Sequence, residues 1–189
     1  MISYDTAYES LRCLMKEKSI FSSLQSSNAP ICEHAGTKEA LFSEFGTYYA
    51  GVLLYHEIKK LKSNVVGIAG SKYGGLPLAV ATSIIFIEHS EENKTLTPLG
   101  IRSPDTLVRR KKLVEGARNL ETNAPVVLVD DVIDSGETAK KMLSALQQEK
   151  FNVVAAFFLV ARNAESSDIA NKLGCYSKIL FTMNDIVKK

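Results

Sequence analysis

The run Val126-Val127-Leu128-Val129-Asp130-Asp131-Val132-Ile133-Asp134-Ser135-Gly136-Glu137-Thr138 constrains the fold of this chain more than any other segment. Four β-forming residues behind Pro125 read as a buried strand. Two adjacent carboxylates stand at its end, and the polar turn of residues 134–138 opens a helix expected to run to Lys150. In open α/β sheets, a strand's carboxyl end followed by a helix amino end is where ligands bind. The turn offers backbone N–H groups, the hydroxyls of Ser135 and Thr138 and the positive end of a helix dipole, and Gly136 permits close backbone approach. An anion suits it. Asp130 and Asp131 repel an anion, so their partners are hydroxyls or a metal. A phosphorylated sugar meets both demands. A plain strand–turn–helix capped by Asp134 or Ser135 explains one polar residue and leaves the paired acids unexplained.

The remaining composition excludes several classes. At 189 residues the chain is one domain by length, large enough for a substantial core. A net charge of +2 gives no global field for nucleic acid or a membrane surface, so any anion site is local. Cys13, Cys32 and Cys175 are odd in number and form no CxxC pair, and His34, His56 and His89 are dispersed, which points away from disulfides and zinc. The first eighteen residues lack the apolar core of a signal peptide, and residues 80–87 are too short to span a bilayer. A reducing cytoplasm is the expected setting.

Along the chain, residues 3–18 are helix-like, with Tyr8, Leu11, Leu14 and Met15 on one face, and residues 21–36, with Pro30, read as loop. A long helix is expected over 37–62, where Leu41, Phe45, Tyr48 and Val52 repeat at helical spacing. Thr37 is its expected amino cap, with Glu39 and Glu44 suiting the dipole. A strand over 65–69, a turn over 70–75 and a helix over 76–88 follow. Residues 89–104 read as a surface excursion, 106–109 as a short strand and 110–124 as a basic, polar connection. The chain closes with a strand over 152–160, a helix over 167–173, a strand over 177–181 and a last helical turn. Strands alternating with helices imply an α/β fold, a mainly parallel sheet flanked by helices on both faces.

Gly70-Ser71-Lys72-Tyr73-Gly74-Gly75 again joins a strand to a helix, a second backbone cradle that includes a lysine. Alone it is equally a tight connection. Arg109, Arg110, Lys111 and Lys112 form a basic run that, alone, reads as a solvated face.

The 126–138 run resembles the 5-phosphoribosyl 1-diphosphate (PRPP) signature of type I phosphoribosyltransferases: four apolar residues, two acids, two apolar residues, then x-(Ser/Thr)-Gly-x-Thr. Every position matches. PRPP carries a phosphate at one end and a diphosphate at the other, so such an enzyme needs two anion turns. The run GSKYGGLPLA is similar to the diphosphate loop and following helix of orotate phosphoribosyltransferases, with Ser71 at a usual proline and Gly74 where many members carry lysine. Leu107 to Lys111, and Leu113-Val114-Glu115-Gly116, resemble the flanks of that family's mobile loop. Leu159-Val160-Ala161-Arg162 is similar to its Leu-Asp-Arg, with Ala161 replacing the aspartate. The likeness runs from Val65 to the carboxyl end.

The resemblance implies a Rossmann-like phosphoribosyltransferase type I fold, a single domain over 1–189, with residues 1–36 as the helix and loop of an amino-terminal helical hood and 37–189 as core. It implies transfer of a phosphoribosyl group from PRPP to a nucleobase, most of all orotate, with release of diphosphate, as in pyrimidine nucleotide biosynthesis. Asp134, Ser135, Gly136, Glu137 and Thr138 would grip the 5-phosphate, and Asp130 and Asp131 the ribose hydroxyls, steadying charge at the anomeric carbon. Ser71, Lys72, Tyr73, Gly74, Arg109 and Arg110 would hold the diphosphate, Lys111 and Lys112 would act as catalytic cations, and Arg162 would meet the orotate carboxylate. Magnesium would be held mainly by PRPP, with no protein ligand, and the enzyme would be a cytoplasmic homodimer. Two departures carry further expectations. Only Lys111 and Lys112 lie between Arg110 and Leu113, a loop shorter than the family's, which implies a slow enzyme or a non-catalytic PRPP-binding regulator. Gln25 stands where the hood's substrate lysine falls in Leu24-Gln25-Ser26-Ser27-Asn28-Ala29-Pro30. A purine or modified pyrimidine in place of orotate is the remaining alternative, and it would change the surroundings of Arg162.

Overall fold

A computed structural model describes residues 1–25, 35–43, 45–71, 73–89, 95–102, 113–162 and 164–187. Its centre is a six-stranded sheet formed by β1 (Gly67–Ser71), β2 (Thr97–Ile101), β3 (Val114–Glu115), β4 (Pro125–Ile133), β5 (Asn152–Ala161) and β6 (Tyr176–Thr182). The spatial order is β3-β2-β1-β4-β5-β6, parallel throughout except for the short antiparallel β3. Helices cover both faces: α1 (Tyr4–Gln25), α2 (Ala35–Leu41), α3 (Gly46–Lys59) and α4 (Gly75–His89) with the terminal α7 (Met183–Val187) on one, α5 (Glu137–Gln148) and α6 (Ala164–Asn171) on the other.

Period-two alternation along the strands fills two cores. In β4, Val127 and Val129 face the α1–α4 side, whereas Val126 and Leu128 face α5. In β5, Phe157 and Leu159 take the first side, and Ala156 and Phe158 the second. Both faces of these strands are buried, so the sequence reads there as continuous apolar runs.

Strand order reverses beside β1. The chain runs outward to β2 on one flank and returns to β4 on the other, which makes the β1–β4 boundary the switch point where an open α/β sheet leaves a crevice at its carboxyl edge. The two glycine-containing turns of the sequence sit at those two strand ends.

Several elements differ from the sequence expectation. The helix expected over 37–62 is two helices, α2 and α3, with a corner between them. Ser43 makes that corner: its hydroxyl donates to the Ala40 carbonyl at 2.6 Å and accepts from the Gly46 N–H at 3.2 Å, while Thr47 donates to the Leu41 carbonyl. The apolar spacing of Leu41, Phe45, Tyr48 and Val52 continues across the corner, but Phe45 is 57% exposed. Thr37 lies inside α2, buried, two residues past the helix's first residue rather than at its amino cap. The expected loop over 21–36 holds the last turn of α1 and the start of α2, with 26–34 outside the described residues. The surface excursion of 89–104 contains β2, where Leu99 and Ile101 are buried between neighbours although Pro98 and Gly100 weaken local strand propensity. The connection of 110–124 supplies β3 and a 3-10 turn at Ala117–Asn119. The first strand runs two residues later than expected, through Ser71. The expected strand over 106–109 lies outside the described residues.

Helix α1 forms the amino-terminal cover. Ala7, Leu11 and Met15 are fully buried, and Tyr8 stacks on Phe181 of β6 with ring centroids 4.3 Å apart. Beneath it, the Glu57 carboxylate of α3 is buried and receives Lys178 and Lys60, each at 2.8 Å. The two lysines outweigh desolvation and hold Glu57 below the ordinary carboxylate range, while burial and that carboxylate push the Tyr4 phenol well up.

Candidate active site

Asp130 and Asp131 are the last polar residues of β4 before its apolar end, and both are nearly buried, 5% and 6% exposed. Apolar flanking strands put them there: β4 lies between β1 and β5, so its backbone is paired on both sides. Asp130 Oδ1 accepts a 2.6 Å hydrogen bond from the Ser71 hydroxyl at the end of β1, and the same Ser71 oxygen accepts the Gly75 N–H at 3.0 Å. Asp131 Oδ1 accepts the Val132 N–H at 2.9 Å, whereas its Oδ2 is buried with no partner among the described residues. A buried acceptor without a donor is costly. A ligand hydroxyl would satisfy it.

Burial, and then the neighbouring Asp131 carboxylate, push Asp130 up to about 7 against the opposing hydrogen bond from Ser71. Asp130 therefore binds its proton more tightly than an ordinary carboxyl, and hydrogen bonds donated by a ligand favour its ionised form.

The β1–α4 turn closes over this pair through glycine. A Cβ on Gly74 would stand 2.3 Å from Asp131 Oδ1 and 2.9 Å from Asp130 Oδ1, and one on Gly75 would stand 2.3 Å from the Val129 carbonyl of β4. The turn's backbone thus rests on the acids and on β4 with no room for a side chain. Tyr73 at its tip is 74% exposed.

The second turn follows β4 directly. Gly136 takes φ +74° at the cap position of α5, and a Cβ there would stand 2.3 Å from Ile169 Cγ2. Neither Asp134 nor Ser135 caps α5, contrary to the capped-helix alternative, because left-handed Gly136 occupies that place and no side chain bonds across it. The Ser135 hydroxyl meets the Glu137 N–H only at 3.5 Å. Asp134, Ser135, Glu137 and Thr138 are exposed, so the α5 amino end, with its orphan donors and positive dipole, opens to solvent. Arg162, just past β5, donates from its backbone N–H to the Ile133 carbonyl and from Nη1 to Asp134 Oδ2 at 2.6 Å.

The fold therefore gathers Ser71, Tyr73, Gly74, Asp130, Asp131, the 134–138 turn and Arg162 along one edge of the sheet. Lys72, Arg109, Arg110, Lys111 and Lys112 lie outside the described residues. Sequence reasoning did not foresee the Ser71–Asp130 link, the seating of Gly136 on Ile169 of α6, or the favourable field of Lys38 from α2 at Asp130. Each joins residues remote in sequence, and only the serine's deviation from the expected proline marked one of them.

A model of the phosphoribosyl transferase domain matches residues 50–187, from α3 through α7. The chain belongs to that family. It is 26% identical over 164 residues to the orotate phosphoribosyltransferase of Nostoc sp., covering 87% of this chain and 76% of the relative. It is 29% identical over 136 residues to that of Methanosphaera stadtmanae, covering 72% and 70%. Among solved structures it superposes with a TM-score of 0.72 on Mycobacterium tuberculosis orotate phosphoribosyltransferase in complex with PRPP, 18% identical, covering 95% of this chain and 98% of that one. At that identity the superposition speaks for the fold. The phosphoribosyltransferase sheet, with its helical cover, is the fold of this chain.

Proposed function

We propose that this phosphoribosyltransferase transfers the phosphoribosyl group of PRPP to orotate and releases diphosphate, a step of pyrimidine nucleotide biosynthesis. The observation that carries it is the buried acid pair set between two anion turns at the sheet's switch point. The names of the curated relatives support orotate as the base.

In this reading the α5 amino end and the hydroxyls of Ser135 and Thr138 hold the 5-phosphate, with Gly136 keeping the backbone close. Asp130 and Asp131 accept the two ribose hydroxyls, the orphan Asp131 Oδ2 gaining its missing donor. The β1–α4 turn, Ser71 to Gly74, cradles the diphosphate, and Lys72, Arg109 and Arg110 neutralise it. The bond between the anomeric carbon and the diphosphate oxygen breaks with its electron pair leaving on diphosphate, and a ring nitrogen of the base forms the new bond. Positive charge develops at the anomeric carbon, and ionised Asp130 and Asp131 steady it. The chain supplies positioning and electrostatics rather than a covalent intermediate. Arg162 binds the orotate carboxylate, a pairing suited to a guanidinium fork. Magnesium would enter on PRPP, held by substrate oxygens, neutralising the leaving group, and no residue of the chain is assigned to it.

The reading extends to one domain over 1–189, a cytoplasmic setting and a homodimer. No helix of the described residues is long and apolar enough to cross a membrane. For the dimer, the support is α4: Val80, Ile84 and Ile87 are exposed on a helix with no charged residue before Glu88. Val80 and Ile84, with Thr47, Leu76, Pro77 and Ala81, line a groove of about 410 Å³. A helix apolar on all sides is covered on all sides.

Diphosphate release tests the assignment, measured with PRPP, magnesium and a panel of bases. Orotate-dependent release is expected. Release with a purine or uracil but not orotate would replace the base, and tight PRPP binding without release under any base would favour a PRPP-sensing regulator, to which the short loop after Arg110 also points.

A further inference from the structure

We propose that Ser71 is a positioning residue for the transfer: its hydroxyl ties the β1–α4 turn to Asp130 and fixes that carboxylate to receive a ribose hydroxyl. The inference rests on the PRPP-transfer reading above and adds a coupling between its diphosphate turn and its ribose-binding acid.

A serine hydroxyl has one hydrogen to donate and lone pairs to accept. Here the donor goes to Asp130 Oδ1 at 2.6 Å, within the short range of a hydroxyl on a carboxylate, and an acceptor site takes the Gly75 N–H at 3.0 Å. Both roles are filled, so the hydroxyl is oriented from two sides. Gly75 is itself wedged against the Val129 carbonyl, which leaves the turn no slack to drift from β4. The chain Gly75 N–H to Ser71 to Asp130 thus runs from the first N–H of α4 to the acid of β4, across the switch point. A diphosphate seated on the turn and a ribose hydroxyl seated on Asp130 are thereby held in fixed relation to one another. A proline at position 71, the residue usual in the resembling loops, has no hydroxyl and cannot make this link.

The charge state supports the geometry. Burial and the adjacent Asp131 of β4 disfavour the ionised form of Asp130, while the Ser71 hydrogen bond, together with Lys38 of α2, favours it. An ionised carboxylate is the stronger acceptor for a ribose hydroxyl. Ser71 thereby raises the ionised fraction of Asp130 near neutral pH.

The test compares full-length wild type with Ser71→Ala and Ser71→Thr in steady-state kinetics across pH, and follows the Asp130 carboxyl by carbon-13 NMR in the ligand-free protein. Ser71→Ala should lower kcat/KM for PRPP on the order of tenfold at neutral pH, leave KM for orotate unchanged, and move the acidic limb of the PRPP profile to higher pH. The Asp130 titration should move up in parallel, and Ser71→Thr should restore both. If the alanine variant does not fold, Ser71→Cys, of similar size but a weak donor, is read the same way. An unchanged Asp130 titration, or an unchanged PRPP profile despite a moved titration, overturns the inference. Failure of threonine to restore either readout in a folded protein does so too. If Ser71→Ala moves the Asp130 titration but wild type releases no diphosphate with any base, the proposed activity is overturned, and the inference with it.

Discussion

Arg162 and Asp134 join the ends of β5 and β4 through a 2.6 Å ion pair, so the residue assigned to the base also touches the turn assigned to the 5-phosphate. Both side chains are nearly half exposed, 44% and 47%, and such a pair contributes about 0–1 kcal/mol to stability. Arg162→Ala should therefore leave the melting temperature almost unchanged. Its kinetic effect should be larger, because a charged hydrogen-bonded contact to a ligand contributes about 1.5–3 kcal/mol. The expected result is a rise in KM for orotate on the order of tenfold or more, with little change in KM for PRPP. Equal rises for both substrates would mean that Arg162 serves the phosphate turn through Asp134.

Asp130 is held at a cost to stability. Its folded-state value of about 7 lies above the ordinary 3.8, so the folded form binds the proton more tightly than the unfolded chain. The sign follows: this contribution is fully present below about pH 3.8, declines as pH rises towards 7, and is gone above it. Asp130→Asn keeps the shape and an acceptor for Ser71 but carries no charge to desolvate. The variant should be more stable than wild type at pH 8, by an amount on the order of a few kcal/mol, with the gap closing as pH falls. PRPP binding should be lost. Thermal unfolding of both proteins from pH 4 to 8 checks this, and a pH-independent gap would contradict it.

The backbone crossing at Gly75 should be intolerant. An added Cβ would lie 2.3 Å from a strand carbonyl and 2.7 Å from Gly70 Cα, both backbone atoms without freedom to move. Gly75→Ala should cost about 3 kcal/mol or more, a strain at the upper end of single substitutions, and lower PRPP affinity in whatever protein folds. Unfolding in urea measures the first, and a cost under about 1 kcal/mol would show that the turn can relax.

Much of this was legible in the chain, and the misses have physical causes. Val126 to Ile133 and Asn152 to Ala161 are central strands buried on both faces, so their apolar runs announced themselves. The 134–138 turn was legible because its chemistry is local: a left-handed glycine, hydroxyls and a helix start. The α2–α3 corner was not, because Ser43 bonds its own neighbourhood while the apolar spacing runs through it. Strand β2 was not, because Pro98 and Gly100 mask a segment whose place is fixed by pairing with β1. The Ser71–Asp130 bond spans 59 residues and has no local signature.

The hood should depend on one buried charge. Glu57 is 3% exposed under two lysines that reach solvent, so Glu57→Gln loses two charge-assisted bonds without stranding either cation. A loss of about 1–3 kcal/mol is expected. The Glu57 carboxyl is held below its ordinary range, so its contribution is present above about pH 4.5 and lost as pH falls through the lowered value. Wild type and Glu57→Gln should converge in stability in acid, and stability curves that stay parallel down to pH 3 would contradict the pairing.

In the proposed activity, the strand–turn–helix from Val126 to Thr138 is the PRPP site. Calorimetric titration of PRPP with magnesium into wild type and into the Asp131→Asn, Thr138→Ala double variant tests it most directly. Asp131→Asn removes the charge at the orphan acceptor and Thr138→Ala removes a hydroxyl from the phosphate turn, while both proteins keep the fold. Saturable one-to-one binding in wild type and near-complete loss in the double variant is the predicted result. Unchanged PRPP affinity in a folded double variant, or no binding to wild type, would contradict the account.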